Sequence, residues 1–204
     1  MAHIAKVDYE AIPSHANQMR KLAQDINSEL TNAYISIQNM HGSWYGKRYN
    51  ALVKEFNNLI PSINELLVLI VGDIPFSLEK IANNYAQADR GSKITNATNT
   101  SPRKVADLAM PNDVGLRFIT NEVTSVKTKV STNFKNAKIK MNTIEAAYNK
   151  INWQSEGSES FKEKFTKLKK NIVEAFDSIE NSFTKLMQQT LDDIQATENA
   201  NTVK

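Results

Sequence analysis

The chain has 204 residues, 41% hydrophobic and 23% charged, the proportions of a globular protein with room for one large domain or two of about 100 residues. Six glycines and five prolines are too few for the turns of a many-stranded sandwich or barrel, and the absence of cysteine removes disulfides, thiolate metal sites and thiol nucleophiles together. The net charge of +3 is mild and accompanies no nucleic-acid-binding motif; residues 1–100 hold nine basic and nine acidic side chains, so the excess lies in the second half.

His3, His15 and His41 stand far apart with no zinc-ligand spacing. The first ten residues, MAHIAKVDYE, lack the apolar stretch of a secretory signal peptide. The most apolar run, residues 66–71 between Glu65 and Asp73, is far short of the roughly 20 residues that cross a bilayer. It reads as the crowded middle of a helical bundle, or as a segment that enters membranes after the bundle opens.

From Ile12 the apolar positions run Ile12, Ala16, Met19, Ala23, Ile26, Leu30, Ala33, Ile37 and Met40, alternating steps of four and three. This seam predicts a long amphipathic helix starting at residues 12–14, with Pro13 in its first turn. His41, Gly42 and Ser43 break it. After Trp44, Tyr45 and Gly46 the seam resumes through Leu52, Phe56, Leu59, Ile63, Leu66, Ile70, Ile74, Leu78, Ile81, Tyr85 and Ala88. Pro61 and Pro75 fall inside it and predict kinks, not ends, because the phase continues across both.

Residues 90–112, rich in Gly, Ser, Thr, Asn and Pro, read as a linker with a short helical turn over 104–109. Asp113 is then placed to cap a third helix with a seam at Leu116, Ile119, Val123, Val126, Val130, Phe134, Ala137, Met141, Ile144, Tyr148 and Ile151. Past the turn at Trp153, a fourth helix carries Phe161, Phe165, Leu168, Ile172, Phe176, Ile179, Phe183, Leu186, Thr190 and Ile194, fading by Thr197.

The two halves repeat. Trp44 and Trp153 lie 109 residues apart, and at that offset Leu52 falls on Phe161, Phe56 on Phe165, Leu59 on Leu168, Ile63 on Ile172 and Ile70 on Ile179. One hairpin cannot cover its own apolar stripe, but two can bury all four seams in one core. The expected fold is all-α: hairpins at residues 1–89 and 113–204, joined by linker 90–112, packed as an elongated antiparallel four-helix bundle. The linker, at up to roughly 3.3 Å per residue, is long enough for that arrangement.

Trp44-Tyr45-Gly46 in a hairpin turn, with Tyr85 and Asp89 closing the second helix, resembles the Trp-Xaa-Gly (WXG) family of small proteins exported by type VII secretion systems. The segment WQSEGSESF from Trp153 is similar to that family's turn as well; Ser155 replaces the motif glycine, while Gly157 and Phe161 fall at a small and an aromatic position. The resemblance spans nearly the whole chain as two fused copies. It implies bacterial secretion without a cleaved signal peptide, as helical hairpin dimers often paired antiparallel. It also implies an export signal, Tyr-x-x-x-Asp/Glu acting with the partner hairpin's turn, read by a membrane-bound ATPase of the secretion machine. On this chain the full element is Tyr85 and Asp89; the 109-residue offset puts Ile194 and Glu198 in the equivalent place, a degenerate copy. Antiparallel packing would set Trp153 and Gly157 beside Tyr85 and Asp89 as the recognition end, and Trp44 beside Ile194 and Glu198.

Plainer readings stand next to these. A turn tryptophan is commonly a packing plug, Gly46 serves a tight turn, and Tyr85, on the seam, is either core or signal. Lys162, Lys164, Lys167, Lys169 and Lys170, mixed with Glu163 and Glu174, form a solvated face or meet an anionic membrane or acidic partner. No nucleophile elbow, carboxylate pair or phosphate-binding glycine loop occurs. The expectation is a non-enzymatic secreted substrate, effector or adaptor with no cofactor or metal. Its partners are the secretion ATPase and a secreted cargo or host protein; nucleic acid is not among them, and any membrane contact is not integral. The halves pair within the chain, and further oligomerisation is left open. A helical membrane-perturbing toxin or pore component and a cytoplasmic coiled-coil scaffold are the rivals.

Overall fold

The computed structural model describes residues 7–151 and 156–201. Helix α1 (Ile12–Asn39) starts where expected, with Pro13 in its first turn, where a missing N–H leaves no helical bond unmade. All nine seam residues from Ile12 to Met40 are buried. A 3-10 turn (Met40–Gly42) ends the helix and leads into the short strand β1 (Trp44–Tyr45).

The second long helix comprises α2 (Lys47–Leu67), a π-helical segment (Val68–Asp73) and α3 (Ile74–Arg90), which run on from one another. Pro61 lies inside α2, and Pro75 falls in the first turn of α3, just past the π segment. There the change to wider i→i+5 bonding accommodates the absent N–H of Pro75, and the helix runs on through both prolines. The π turn has a second effect. It rotates the buried face by one residue, so that beyond it Ala82 and Ala86 are buried, Ile81 and Tyr85 half-buried, and Ala88 exposed. The 3–4 spacing carried straight through Ile81, Tyr85 and Ala88 is corrected accordingly.

Strand β2 (Arg117–Phe118) pairs antiparallel with β1, Trp44 opposite Phe118. Helix α4 (Thr120–Asn149) follows, and its cap residue is Ile119, in extended conformation, not Asp113. Asp113 instead hydrogen-bonds His41 Nε2 at 2.5 Å, and the Ile119 N–H donates to the Ser43 carbonyl at 2.8 Å. The first hairpin's turn thus holds residues 113–119 out of the helix, and Leu116, expected on the seam, is 51% exposed. Of the rest of that seam Val123, Val130, Phe134, Ala137, Met141 and Ile144 are buried, Ile119, Val126, Tyr148 and Ile151 are half-buried, and Ala147 is buried in place of Tyr148.

α4 begins beside the end of α1 and reaches Glu29 through Lys140 (3.0 Å), so the two helices run antiparallel. α5 (Glu156–Asn201) runs back along α2, bringing Asp193 to Arg48. It continues past the expected fade at Thr197. Phe165, Leu168, Ile172, Phe176, Ile179 and Phe183 line its buried face, with Thr190 turned in and its hydroxyl bonded to the Leu186 carbonyl. Rings of Phe56, Phe134 and Phe176 stack through the middle at 6.3 and 4.1 Å. Two hairpins therefore pack antiparallel as an all-α four-helix bundle, with α1 against α4 and α2 against α5 as the most extensive contacts.

The segment read as a linker is a strap. Residues 92–114 have no helix, including 104–109 where a turn was expected. Val105 and Leu108 are buried, and the main chain is gripped by asparagines of the first hairpin. Asn64 donates to the Val105 carbonyl and accepts its N–H (2.9 and 2.8 Å); Asn57 does the same for Leu108 (3.0 and 2.8 Å), and Asn83 for Thr95 (2.9 and 3.1 Å). An extended chain whose main-chain groups are taken one residue at a time has no bonds left for a helical turn.

Gly72, in the π segment, lets the strap pass. A Cβ there would lie 2.6 Å from Asn99 Oδ1 and 2.8 Å from the Thr100 carbonyl oxygen. Gly72→Ala is therefore expected to push the strap outward and cost about 1–3 kcal/mol, read as a lower urea midpoint together with faster proteolysis near Arg103. Unchanged values for both would show that the strap does not lie there.

The two ends of the bundle as candidate recognition sites

At the first hairpin's turn, Trp44 is fully buried. Phe183 of α5 stacks on it at 6.0 Å, Phe118 meets it edge-on at 5.4 Å, and Tyr49 tilts against it at 6.0 Å. The Tyr49 hydroxyl donates to the Ile37 carbonyl (2.9 Å), and burial pushes its pKa up to about 12. The Trp44 indole N–H is buried without a hydrogen-bond partner. Gly46 has φ +120°, the region that favours glycine, and a Cβ there would crowd the Gly115 carbonyl at 3.3 Å. This end joins β1, β2 and the tail of α5, where Ile194 is half-buried and Glu198 exposed. The packing leaves Trp44 no surface with which to touch another molecule.

At the other end, Tyr85 is half-buried and Asp89 exposed near the C-terminus of α3, which closes on Gly91 in left-handed conformation (φ +79°). A carboxylate there opposes the helix dipole, and Tyr9 compensates: its hydroxyl donates to Asp89, which raises the Tyr9 pKa. Arg90 pairs with Glu10 at 3.2 Å beside it. α4 runs toward this same end, finishing at Asn149, with Tyr148 half-buried and its pKa pushed up to about 12 by burial and by Glu159. Trp153 and Ser155 lie outside the described residues, and Gly157 falls in the first turn of α5. Lys162, Lys164, Lys167 and Lys170 of α5 are exposed, while Lys169 is half-buried and pairs with Glu145; Lys170 pairs with Glu174.

Tyr9 and Phe118 were not singled out in the sequence, and nothing local marks either one. The strap-binding asparagines did carry a signal, since Asn50, Asn57 and Asn64 stand at seven-residue intervals along one helix face. Among the described residues no group of His, Asp and Glu is arranged to hold a metal ion.

Residues 5–90 match the WXG100 family, proteins of 100 residues with WXG, a span that takes in Trp44, Gly46, Tyr85 and Asp89. The first hairpin is thus similar to the WXG100 family. WXG100 proteins are helical, non-enzymatic, secreted substrates of type VII systems that pair in dimers. The WXG100 match ends before the strap and the second hairpin. No curated protein and no solved structure matched the chain.

Proposed function

We propose that the chain is a non-enzymatic protein exported by a bacterial type VII secretion system, with residues 1–89 and 113–204 acting as two fused WXG-like hairpins that stand in for the family's dimer. The observation that carries this reading is the antiparallel packing of the second hairpin on the WXG100-type one. Core positions repeating at 109 residues add to it: Phe56 and Phe165, Leu59 and Leu168, Ile63 and Ile172, Ile70 and Ile179 are buried in both halves. The protein serves as a secreted substrate or effector, or as an adaptor, and its partner beyond the secretion machine is a secreted cargo or a host protein.

The export signal in this reading is Tyr85 with Asp89, completed by the Trp153, Ser155 and Gly157 turn and read by the secretion ATPase. Two facts support it: α4 heads toward the Tyr85 end, and Asp89 is exposed. Ile194 and Glu198, in the last turns of α5 beyond the Phe183 that stacks on Trp44, belong to the structural end in this reading. Tyr85→Ala and Trp153→Ala are each expected to abolish appearance of the protein in the medium while helicity by circular dichroism is retained. Secretion at the unsubstituted level would refute the signal.

One observation favours a second reading. The continuous helix Lys47–Arg90 is long and apolar enough to cross a membrane, although most of its apolar window is buried in the bundle. Leakage of dye from anionic vesicles on addition of purified protein would favour a membrane-perturbing role; intact vesicles would count against it.

A further inference from the structure

The strap and the helix beneath it share a repeat. Asn64, Asn57 and Asn50 descend α2 seven residues at a time, while their partners Val105, Leu108 and Pro111 ascend the strap three at a time. Seven helical residues rise about 10.5 Å and three extended residues span about 10 Å, so the two periods coincide and every third strap residue meets an asparagine. Each asparagine offers one amide donor and one carbonyl acceptor to a single residue's carbonyl and N–H. Such a rung reads main chain and is indifferent to the side chain. Selectivity comes from the covered sites that hold Val105 and Leu108.

The resident strap fits this ladder imperfectly in two places. At the third rung Asn50 Nδ2 donates to the Pro111 carbonyl at 3.2 Å, but proline has no N–H to return, and Asn50 Oδ1 is buried with no partner. A buried carbonyl oxygen left this way is costly. Higher up, an open cavity of about 520 Å³ remains between α1 and the strap, lined by Gln24, Asn27, Thr31, Val71, Thr100 and Arg103, so the groove has room that the strap's own side chains do not fill.

We propose that this groove is a main-chain-reading peptide site, occupied at rest by the chain's own residues 94–111, whose better ligand is an extended segment with aliphatic side chains three residues apart and an N–H-bearing residue opposite Asn50. The strap is then an internal pseudo-ligand, and an extended segment of a partner protein that satisfies Asn50 competes with it. The site is independent of the export reading, since it lies along α1, α2 and α3 and uses neither Tyr85 nor either tryptophan.

The test uses the full chain with Val105→Glu and Leu108→Glu, which expel the strap and leave the groove's own residues intact. The probes are fluorescent synthetic peptides of residues 94–112, with and without Pro111→Ala. Both peptides are expected to bind the substituted chain saturably, and the Pro111→Ala peptide roughly three- to tenfold more tightly, the range of one added hydrogen bond. Asn50→Ala in the receptor should erase that difference, and Asn57→Ala with Asn64→Ala should weaken both peptides at least tenfold. Absence of saturable binding to a receptor that keeps its helicity, or equal affinities insensitive to Asn50, overturns the proposal. If the receptor loses its helicity, hydrogen exchange decides in the chain carrying Pro111→Ala alone. The amide introduced at position 111 should exchange at least tenfold more slowly than in the same chain with Asn50→Ala, and equal rates overturn the proposal.

Discussion

Trp44→Ala is expected to lower the free energy of unfolding by about 3–5 kcal/mol, the cost of emptying a large aromatic site that its surroundings do not refill. The indole is fully buried and touches three rings drawn from different parts of the chain: Tyr49 in α2, Phe118 in β2 and Phe183 in α5. Its removal loosens the meeting of β1 with β2 and of the first turn with α5 together, and a domain with about 5–15 kcal/mol in total is left near its threshold. Trp44→Phe separates packing from polarity. The indole N–H is buried without a partner, so deleting it removes an unmet donor, and the smaller ring should cost far less than alanine. Urea unfolding of the three proteins checks this. Equal stability of the alanine variant and the unsubstituted chain would mean that Trp44 is not in the core.

The second large effect lies at Glu79. Its carboxylate, almost wholly buried, accepts from both terminal nitrogens of Arg20 and from the Thr98 N–H at 3.2 Å, while Arg20 also donates to the Thr98 carbonyl at 2.9 Å. One carboxylate thus joins α1, α3 and the strap, and its hydrogen bonds hold the Arg20 pKa above the ordinary arginine value. Glu79→Ala leaves a largely buried guanidinium and a strap N–H unpaired, a change expected to cost about 3–5 kcal/mol. Arg20→Met combined with Glu79→Leu should recover much of that loss, because the remaining charge is gone and the apolar stems still pack. Chemical denaturation of the single and double variants measures both. A double variant no more stable than Glu79→Ala would show that the loss is packing and not an abandoned charge.

The helices were legible because their seams are long and regular. The α1 spacing of four and three residues leaves one buried stripe, and every residue named on it is buried. Legibility failed where the backbone departs from 3.6 residues per turn: the π segment at Val68–Asp73 shifts the face of α3 by one residue, and no side chain announces it. It failed again where a local signal was claimed by a distant partner. Asp113 has the chemistry of a helix cap, but His41, 72 residues earlier, takes its carboxylate. The strap is the same lesson at larger scale. Its composition matches a flexible linker, yet much of its order comes from Asn64, Asn57 and Asn50, 41 to 61 residues away in sequence, and their heptad spacing was its one trace in the chain.

For the candidate site, the motif residues were readable and their surroundings were not. Trp44 and Gly46 are legible as a turn, but the burial that makes Trp44 a plug depends on Phe183 of the second hairpin. Asp89 is legible as a carboxylate misplaced against a helix dipole, whereas Tyr9, which satisfies it, stands 80 residues earlier with nothing in its own neighbourhood to mark it.

The central claim is that one chain supplies both hairpins of an antiparallel bundle, and the chain's lack of cysteine makes it directly testable. A short bis-maleimide applied to the chain with Arg48→Cys and Asp193→Cys should close a loop within single molecules, giving a faster-migrating monomer at any protein concentration. The chain with Arg48→Cys and Glu159→Cys, in which the α5 position lies about 50 Å further along the helix, should not close. Closure of the second pair in place of the first, or cross-linked dimers alone from the first, would contradict the antiparallel single-chain bundle.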